Sequence, residues 1–302
     1  KEGEEVIMGG GSYSYMSAKS RSVDTYQSQS KETIFKNHTI AHDMDPKYFQ
    51  VRESCDSEEH PVSFPIIIAL DETGSMGRIP HNIISNLLPD IIKKLTDLGI
   101  ENPQVCFMGI GDAQYEREKA PIQVGQFESS DSLMEHWLKN IYLEGCGGGN
   151  GGEDYSLAWY IAAYKTKTDS FDKRGKKGVL ITIGDEPVHK SISNDILNHY
   201  IKTNDEKIAI NGYRVLETKE FLKDAQKKWD VYHIHMEGSN TYSLNCTNWK
   251  EMLDDNHIKV SYDLNGNDLA DILPTVIFNS YKQTKSYLNP EDVLFEGVEV
   301  GD

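Results

Sequence analysis

The most constraining stretch of the chain is Pro65-Ile66-Ile67-Ile68-Ala69-Leu70, followed at once by Asp71-Glu72-Thr73-Gly74-Ser75-Met76-Gly77. A short, unbroken apolar run rich in β-branched residues has no face to offer water. It therefore reads as a strand buried on both sides of a parallel sheet. Such a strand needs helical crossovers and a helical layer on each face, which restricts the chain to an α/β architecture. The run stops at the carboxylate of Asp71, and two hydroxyls, Thr73 and Ser75, follow at alternate positions, with Gly74 and Gly77 loosening the turn. Open α/β sheets place their ligands at the carboxyl ends of strands. An oxygen-only donor set on a compact loop at that edge suits a hard divalent cation, Mg²⁺ above all, which prefers few carboxylates and keeps some of its waters.

Downstream, the hydrophobic periodicity switches repeatedly between helix and strand. Residues 79–98 carry Ile83, Ile84, Leu87, Leu88, Ile91, Ile92 and Leu95 at helical spacing, and Gly99 is a stop signal. Core strands are expected at 104–111, 178–184, 229–236 and 257–262, with a short alternating edge strand, antiparallel, at 122–127. Helices are expected at 131–141, with Leu133, His136, Trp137 and Leu138 as the buried stripe, and at 155–165, 215–228, 248–254 and 268–281. Between 191 and 214 one short helix and a loop are expected. This alternation predicts a doubly wound, mostly parallel six-stranded sheet with one antiparallel edge strand and helices on both faces, spanning residues 63–283. Residues 1–62 are polar and rich in Ser and Tyr. They read as an N-terminal arm lying over that domain, because Tyr13, Tyr15, Tyr26, Phe35, Tyr48 and Phe49 give it apolar surface to bury. Residues 284–302 read as an acidic C-terminal tail.

Charge narrows the classes of partner. A net charge of −17 over 302 residues argues against nucleic acid or an anionic membrane surface, both of which need clustered Lys and Arg. No apolar run approaches the length of a bilayer span. The first residues carry no signal-peptide pattern, and the four cysteines (Cys55, Cys106, Cys146, Cys246) are scattered without a CxxC. A reducing, cytoplasmic setting is the expectation, with Cys106 as a buried free thiol.

Two further segments bring carboxylates to comparable strand ends. Gly147 to Gly152 form a glycine-rich loop that opens a helix, with Glu153 in its first turn, and Asp185 follows directly on Ile181-Thr182-Ile183-Gly184. A phosphate cradle is the competing reading of the glycine loop, but no Lys accompanies it and Glu153-Asp154 would repel phosphate. His233 and His235 share one face of a strand, as a zinc pair would. With no third soft ligand nearby, two packed histidines is the stronger reading. His189 is expected to orient the Asp185 loop. Arg78 and Glu186 flank the crest and are expected to be solvated, while Trp159 and Tyr160 are core candidates.

The spacing Asp71-x-Thr73-x-Ser75-Met76 after a buried strand resembles the first segment of the metal-ion-dependent adhesion site (MIDAS) of von Willebrand factor A (vWA) domains. The Gly/Asn-rich loop ending in Glu153, and Asp185-x-Pro187-x-His189, are similar to the variant found in integrin β inserted domains and in the vWA domains of some alpha-kinases. The order of elements over residues 63–283 is also the one expected of a vWA domain. The resemblance implies Asp71, Thr73, Ser75, Glu153 and Asp185 around an Mg²⁺ ion, with Mn²⁺ or Ca²⁺ as substitutes. Asn150 is either a further ligand or part of a neighbouring cation site. It departs from the commonest vWA pattern, in which the glycine-rich loop presents a threonine.

The same resemblance implies a binding module in which a carboxylate of a partner protein completes the ion. No nucleophile–base pair accompanies the site. Cytoplasmic vWA domains of bacteria and their phages are similar to partners of MoxR-type AAA+ ATPases, which implies an adaptor or scaffold role and a bacterial or phage source. The alternative is a divalent-metal-dependent hydrolase using the same carboxylates with His189 as acid or base. Apart from Arg78 and Lys190, the loops supply few basic groups for a substrate.

Overall fold

The computed structural model describes residues 13–115, 119–145, 151–201, 214–238 and 242–286. Ten strands occur among them: β1 Arg52–Ser54, β2 Phe64–Asp71, β3 Pro103–Ile110, β4 Ile122–Val124, β5 Thr166–Thr168, β6 Gly178–Gly184, β7 Ser191–Ser193, β8 Val215–Glu217, β9 Trp229–Met236 and β10 Ile258–Ser261. Six of them form the main sheet in the order β10-β9-β6-β2-β3-β4. All neighbours are parallel except β3 and β4, so the expected sheet with one antiparallel edge is the observed one. The chain starts in the middle with β2, builds outward through β3 and β4, then returns to the other side of β2 for β6, β9 and β10. The topological switch point therefore lies between β2 and β6, where open α/β folds have their ligand crevice.

Every residue of β2 is buried, and its side chains divide strictly by parity. Ile66, Ile68 and Leu70 enter one cluster with Ile83, Ile91 and Ile92 and with Leu269, Leu273 and Ile277 of the C-terminal helix. Ile67 and Ala69 enter the other with Leu157, Ile161, Leu222 and Trp249. A strand with an apolar layer on each side shows no alternation in its sequence, which is why the run is continuous.

The expected helix at 79–98 is interrupted. Ile79–Asn82 and Leu88–Asp97 are α-helical, and a wider turn closed by i→i+5 bonds spans Ile83–Leu87. Pro89 has no N–H to give the carbonyl of Ser85, and the Ser22 hydroxyl from the N-terminal arm donates to that carbonyl at 2.5 Å instead. Tyr13 Oη donates to Pro89 O at 2.9 Å. The arm thus covers this irregular helix, and Tyr26, Ile34, Phe35 and Met44 join the core on that face.

Three local expectations are corrected. The buried side of the helix Asp131–Lys139 is Asp131, Met134, Glu135 and Leu138, while Leu133, His136 and Trp137 are only half-buried. The arm causes this, because Arg21 pairs with both Asp131 and Glu135, and Tyr26 Oη donates to Glu135. Residues 215–217 are strand, paired antiparallel with β7, and the helix begins only at Thr218. β5, not expected as a strand, pairs in parallel with β1 of the arm. Three-residue strands are too short to show a period.

Candidate metal centre

Asp71 is the last residue of β2, and Asp185 follows directly on β6, so the two carboxylates flank the switch point. Asp71 Oδ1 accepts from the Thr73 backbone N–H at 2.9 Å and from Thr73 Oγ1 at 2.6 Å, an Asx turn that folds the loop back over the strand end. Its other oxygen accepts from Tyr155 Oη at 2.9 Å. Ser75 Oγ donates to Asp185 Oδ1 at 3.1 Å and lies 3.5 Å from Thr73 Oγ1. Asp71, Thr73, Ser75 and Asp185 are therefore brought into one hydrogen-bonded constellation. Asp71, Asp185 and Glu153 are fully buried, Thr73 nearly so, and Ser75 half-buried.

Glu153 arrives from the exit of the glycine-rich loop. Its N–H donates to Pro187 O at 2.9 Å, its carbonyl accepts from His189 N–H at 3.3 Å, and the next N–H, of Asp154, reaches Gly111 O at 3.1 Å. The segment is thus pinned between the loops that follow β3 and β6. Close backbone packing needs small residues here: a Cβ on Gly74 would stand 2.9 Å from Gly145 O, and one on Gly152 3.0 Å from the His189 ring. Asn150 lies outside the described residues, as does Cys146.

The electrostatics report concentrated negative charge. Burial first, then the neighbouring charge of Asp185, pushes Asp71 up to about 7 against the pull of the Thr73 and Tyr155 hydrogen bonds. Burial and then Asp71, Asp185 and Glu153 raise the Tyr155 phenol well above its ordinary range, so it stays protonated and acts as a donor. Glu186 rises to about 7, chiefly from burial and then from Asp185, Asp71 and Asp112. Buried carboxylates in such number call for a counter-charge. The donors are all oxygens, hydroxyl and carboxylate, which fits a hard cation. Among the described residues, the three His/Cys/Asp/Glu side chains that place one ligand atom each within 4.8 Å of one another are Asp112, Asp154 and His189, not Asp71, Glu153 and Asp185. Direct ligands of one Mg²⁺ ion lie no more than about 4.2 Å apart, so Asp71, Glu153 and Asp185 as placed are not all direct ligands of a single ion.

Several groups at the crest were not singled out from the sequence. Tyr155 was placed only in a helix, yet it is the phenol that links Asp71 to the glycine-loop helix. Asp112 has a signal in the sequence, since Ile110-Gly111-Asp112 repeats the Ile183-Gly184-Asp185 ending of β6. Glu186, expected to be solvated, is 4% exposed, with its backbone carbonyl accepting from Trp249 Nε1 at 3.0 Å. Arg78 is exposed as expected. His189 steadies the loop after β6 through Asp112, whose Oδ1 lies 3.2 Å from its Nε2. His233 and His235 are core histidines: Nδ1 of His233 is 3.0 Å from Thr182 Oγ1, its ring stacks on Trp249, and His235 Nε2 meets Tyr242 O at 3.0 Å.

Strand order, the antiparallel edge and the helices on both faces define a vWA-like α/β fold. Among solved structures, the chain is similar to the pilus adhesin SpaC from Lactobacillus rhamnosus GG, at 11% identity and a TM-score of 0.44, covering 77% of this chain and 31% of that one. It is likewise similar to the vWF domain of the type V pili tip protein Mfa5 from Porphyromonas gingivalis, at 11% identity and a TM-score of 0.41, covering 80% of this chain and 99% of that one. A von Willebrand factor type A protein from Catenulispora acidiphila shows 11% identity and a TM-score of 0.40, covering 72% of this chain and 42% of that one. The chain thus spans about a third of the SpaC chain. No protein-family model and no curated protein matches the sequence.

Proposed function

We propose that this chain is a metal-ion-dependent protein-binding module with an adaptor or scaffold role. In this reading Asp71, Thr73, Ser75 and Asp185 hold Mg²⁺, with Mn²⁺ or Ca²⁺ as substitutes, and Glu153 contributes through water. The bound ion supplies a docking point for a carboxylate of a partner protein. The observation that carries the reading is the Ser75–Asp185 hydrogen bond, which joins loops from the two sides of the switch point into one all-oxygen constellation. Ser75 is also the least buried member, so the open side of the site lies there, with the exposed Arg78 three residues on to favour an acidic group. The family resemblance points to MoxR-type AAA+ ATPases as the partner class and to a cytoplasmic setting.

The test is thermal unfolding with and without Mg²⁺, followed by partner capture with Mg²⁺ and with EDTA. Mg²⁺ at about 100 times its Kd stabilises a protein by about 2.7 kcal/mol. That shift is expected for the wild type and should vanish in Asp71→Ala and Asp185→Ala. An equal shift in Asp71→Ala, or none in the wild type, would defeat the proposal. Turnover of a generic phosphate or ester substrate that requires the metal and disappears in Asp71→Ala would replace the binding module with a hydrolase.

A further inference from the structure

Beside the crest lies a second gathering of ligand-type side chains that the binding reading does not use. Asp112 comes from the loop after β3, Asp154 from the residue that precedes the helix Tyr155–Tyr164, and His189 from the loop after β6. One ligand atom from each lies within 4.8 Å of the other two. Asp112 and Asp154 are fully buried, and the His189 side chain is 14% exposed.

The surroundings hold the group in place. Asp154 does not cap its helix; its oxygens accept from Ala113 N–H at 2.9 Å and Gln114 Nε2 at 3.0 Å. Asp112 Oδ1 accepts from Gln114 N–H at 2.8 Å, and Gly152 is pressed against the His189 ring. Glu186 is a separate pointer to a ligand. It is 4% exposed, its Oε2 has no hydrogen-bond partner among the described residues, and it lies within electrostatic reach of Asp112 and His189 as well as of Asp71 and Asp185. Two buried carboxylates thus stand against one imidazole, with Glu186 within electrostatic reach of Asp112 and of the ring. Even with that imidazole protonated, the two aspartates leave one negative charge over, and buried charge in that state is paired or bound to metal.

We infer that Asp112, Asp154 and His189, with Glu186 within electrostatic reach, form a second divalent-cation site, separate from the Asp71 crest and selective for a borderline transition metal such as Zn²⁺. The chemistry separates the two sites. The crest offers only hydroxyl and carboxylate oxygen, whereas this group includes an imidazole nitrogen, which favours Zn²⁺ over Mg²⁺. The sites share two loops, through Glu153-Asp154 and through Asp185-Glu186, so an ion in the second stiffens segments that the first needs.

The experiment loads the full chain with Zn²⁺ or Mn²⁺ and measures binding by calorimetry, and nitrogen coupling of bound Mn²⁺ by pulsed electron paramagnetic resonance. Wild type and Asp71→Ala are both expected to retain a saturable Zn²⁺ site and a directly bound imidazole signal. His189→Gln should weaken Zn²⁺ at least roughly tenfold and lose that signal. Asp154→Asn serves as the second variant if His189→Gln does not fold, and should show the same Zn²⁺ loss. The inference is overturned by a wild type without saturable Zn²⁺ or Mn²⁺ binding, or by Zn²⁺ affinity unchanged in both variants. Loss of the nitrogen-coupled site in Asp71→Ala would also overturn it, since the two sites would then be one.

Discussion

A methyl group on residue 184 would stand 1.9 Å from Tyr155 Oη and 2.7 Å from its Cζ. Gly184 is thus the space through which Tyr155 reaches Asp71 between β2 and β6. Gly184→Ala is expected to cost about 1–3 kcal/mol by forcing the ring aside. Tyr155→Phe removes only the hydrogen bond and should cost about 1–2 kcal/mol. Both should weaken Mg²⁺ binding, Gly184→Ala the more; chemical denaturation and Mg²⁺ titration check the order, and a fully wild-type Gly184→Ala would show the contact to be soft. A second prediction concerns pH. Burial first, then the neighbouring His235, pushes His233 well below its ordinary 6.5. Its folded-state pKa is therefore depressed, so its contribution is present above 6.5 and lost as pH falls through the folded value. The stability difference between wild type and His233→Gln should be largest near pH 8 and shrink toward pH 5. Buried carboxylates such as Asp71 are raised and act in the opposite direction, but they cancel in this difference. A difference that grows on acidification would contradict the neutral, buried imidazole.

At the scale of elements, the arm is structural. Tyr26, Ile34, Phe35 and Met44 are each at most 8% exposed in the cluster beneath it. At about 1.5–3 kcal/mol for each side chain, their loss approaches the net stability of an ordinary domain. A chain beginning at residue 63 is therefore expected to unfold at a much lower denaturant midpoint than the full chain, or to aggregate; an equal midpoint would show that the arm only lies on the surface. Ser22→Ala is the finer probe, since it leaves the Ser85 carbonyl without the hydroxyl that replaces the missing Pro89 N–H. It should cost about 1 kcal/mol. The long elements were legible because their apolar residues repeat at 3.6 or run unbroken. The stripe of the helix Asp131–Lys139 was misread because two acids face inward, and only the position of Arg21, more than a hundred residues earlier, makes that tolerable.

For the whole molecule, a charge of −17 means that the folded state works against its own field. In chelator, the unfolding midpoint is expected to rise between low salt and about 0.5 M NaCl as that field is screened. Mg²⁺ should do more than NaCl of equal ionic strength, because it acts at the crest as well as on the field. A midpoint that falls with NaCl would mean that attractive pairs such as Arg21 with Asp131 and Glu135 outweigh the repulsion. Among the described residues, no helix is long and apolar enough to cross a membrane.

What the residues alone determined is the architecture and one rim of it. A strand with no polar side must sit mid-sheet, and a strand that ends in Asp-x-Thr-x-Ser must carry that loop at the carboxyl edge. What only the tertiary structure decided is which acids share a neighbourhood. Asp71 meets Tyr155, Ser75 meets Asp185, and Asp112 meets His189 across 84, 110 and 77 positions of chain. Local periodicity records which way a side chain faces, not which distant loop it will face. That is set by the order in which strands join the sheet and by glycines small enough to let the loops close.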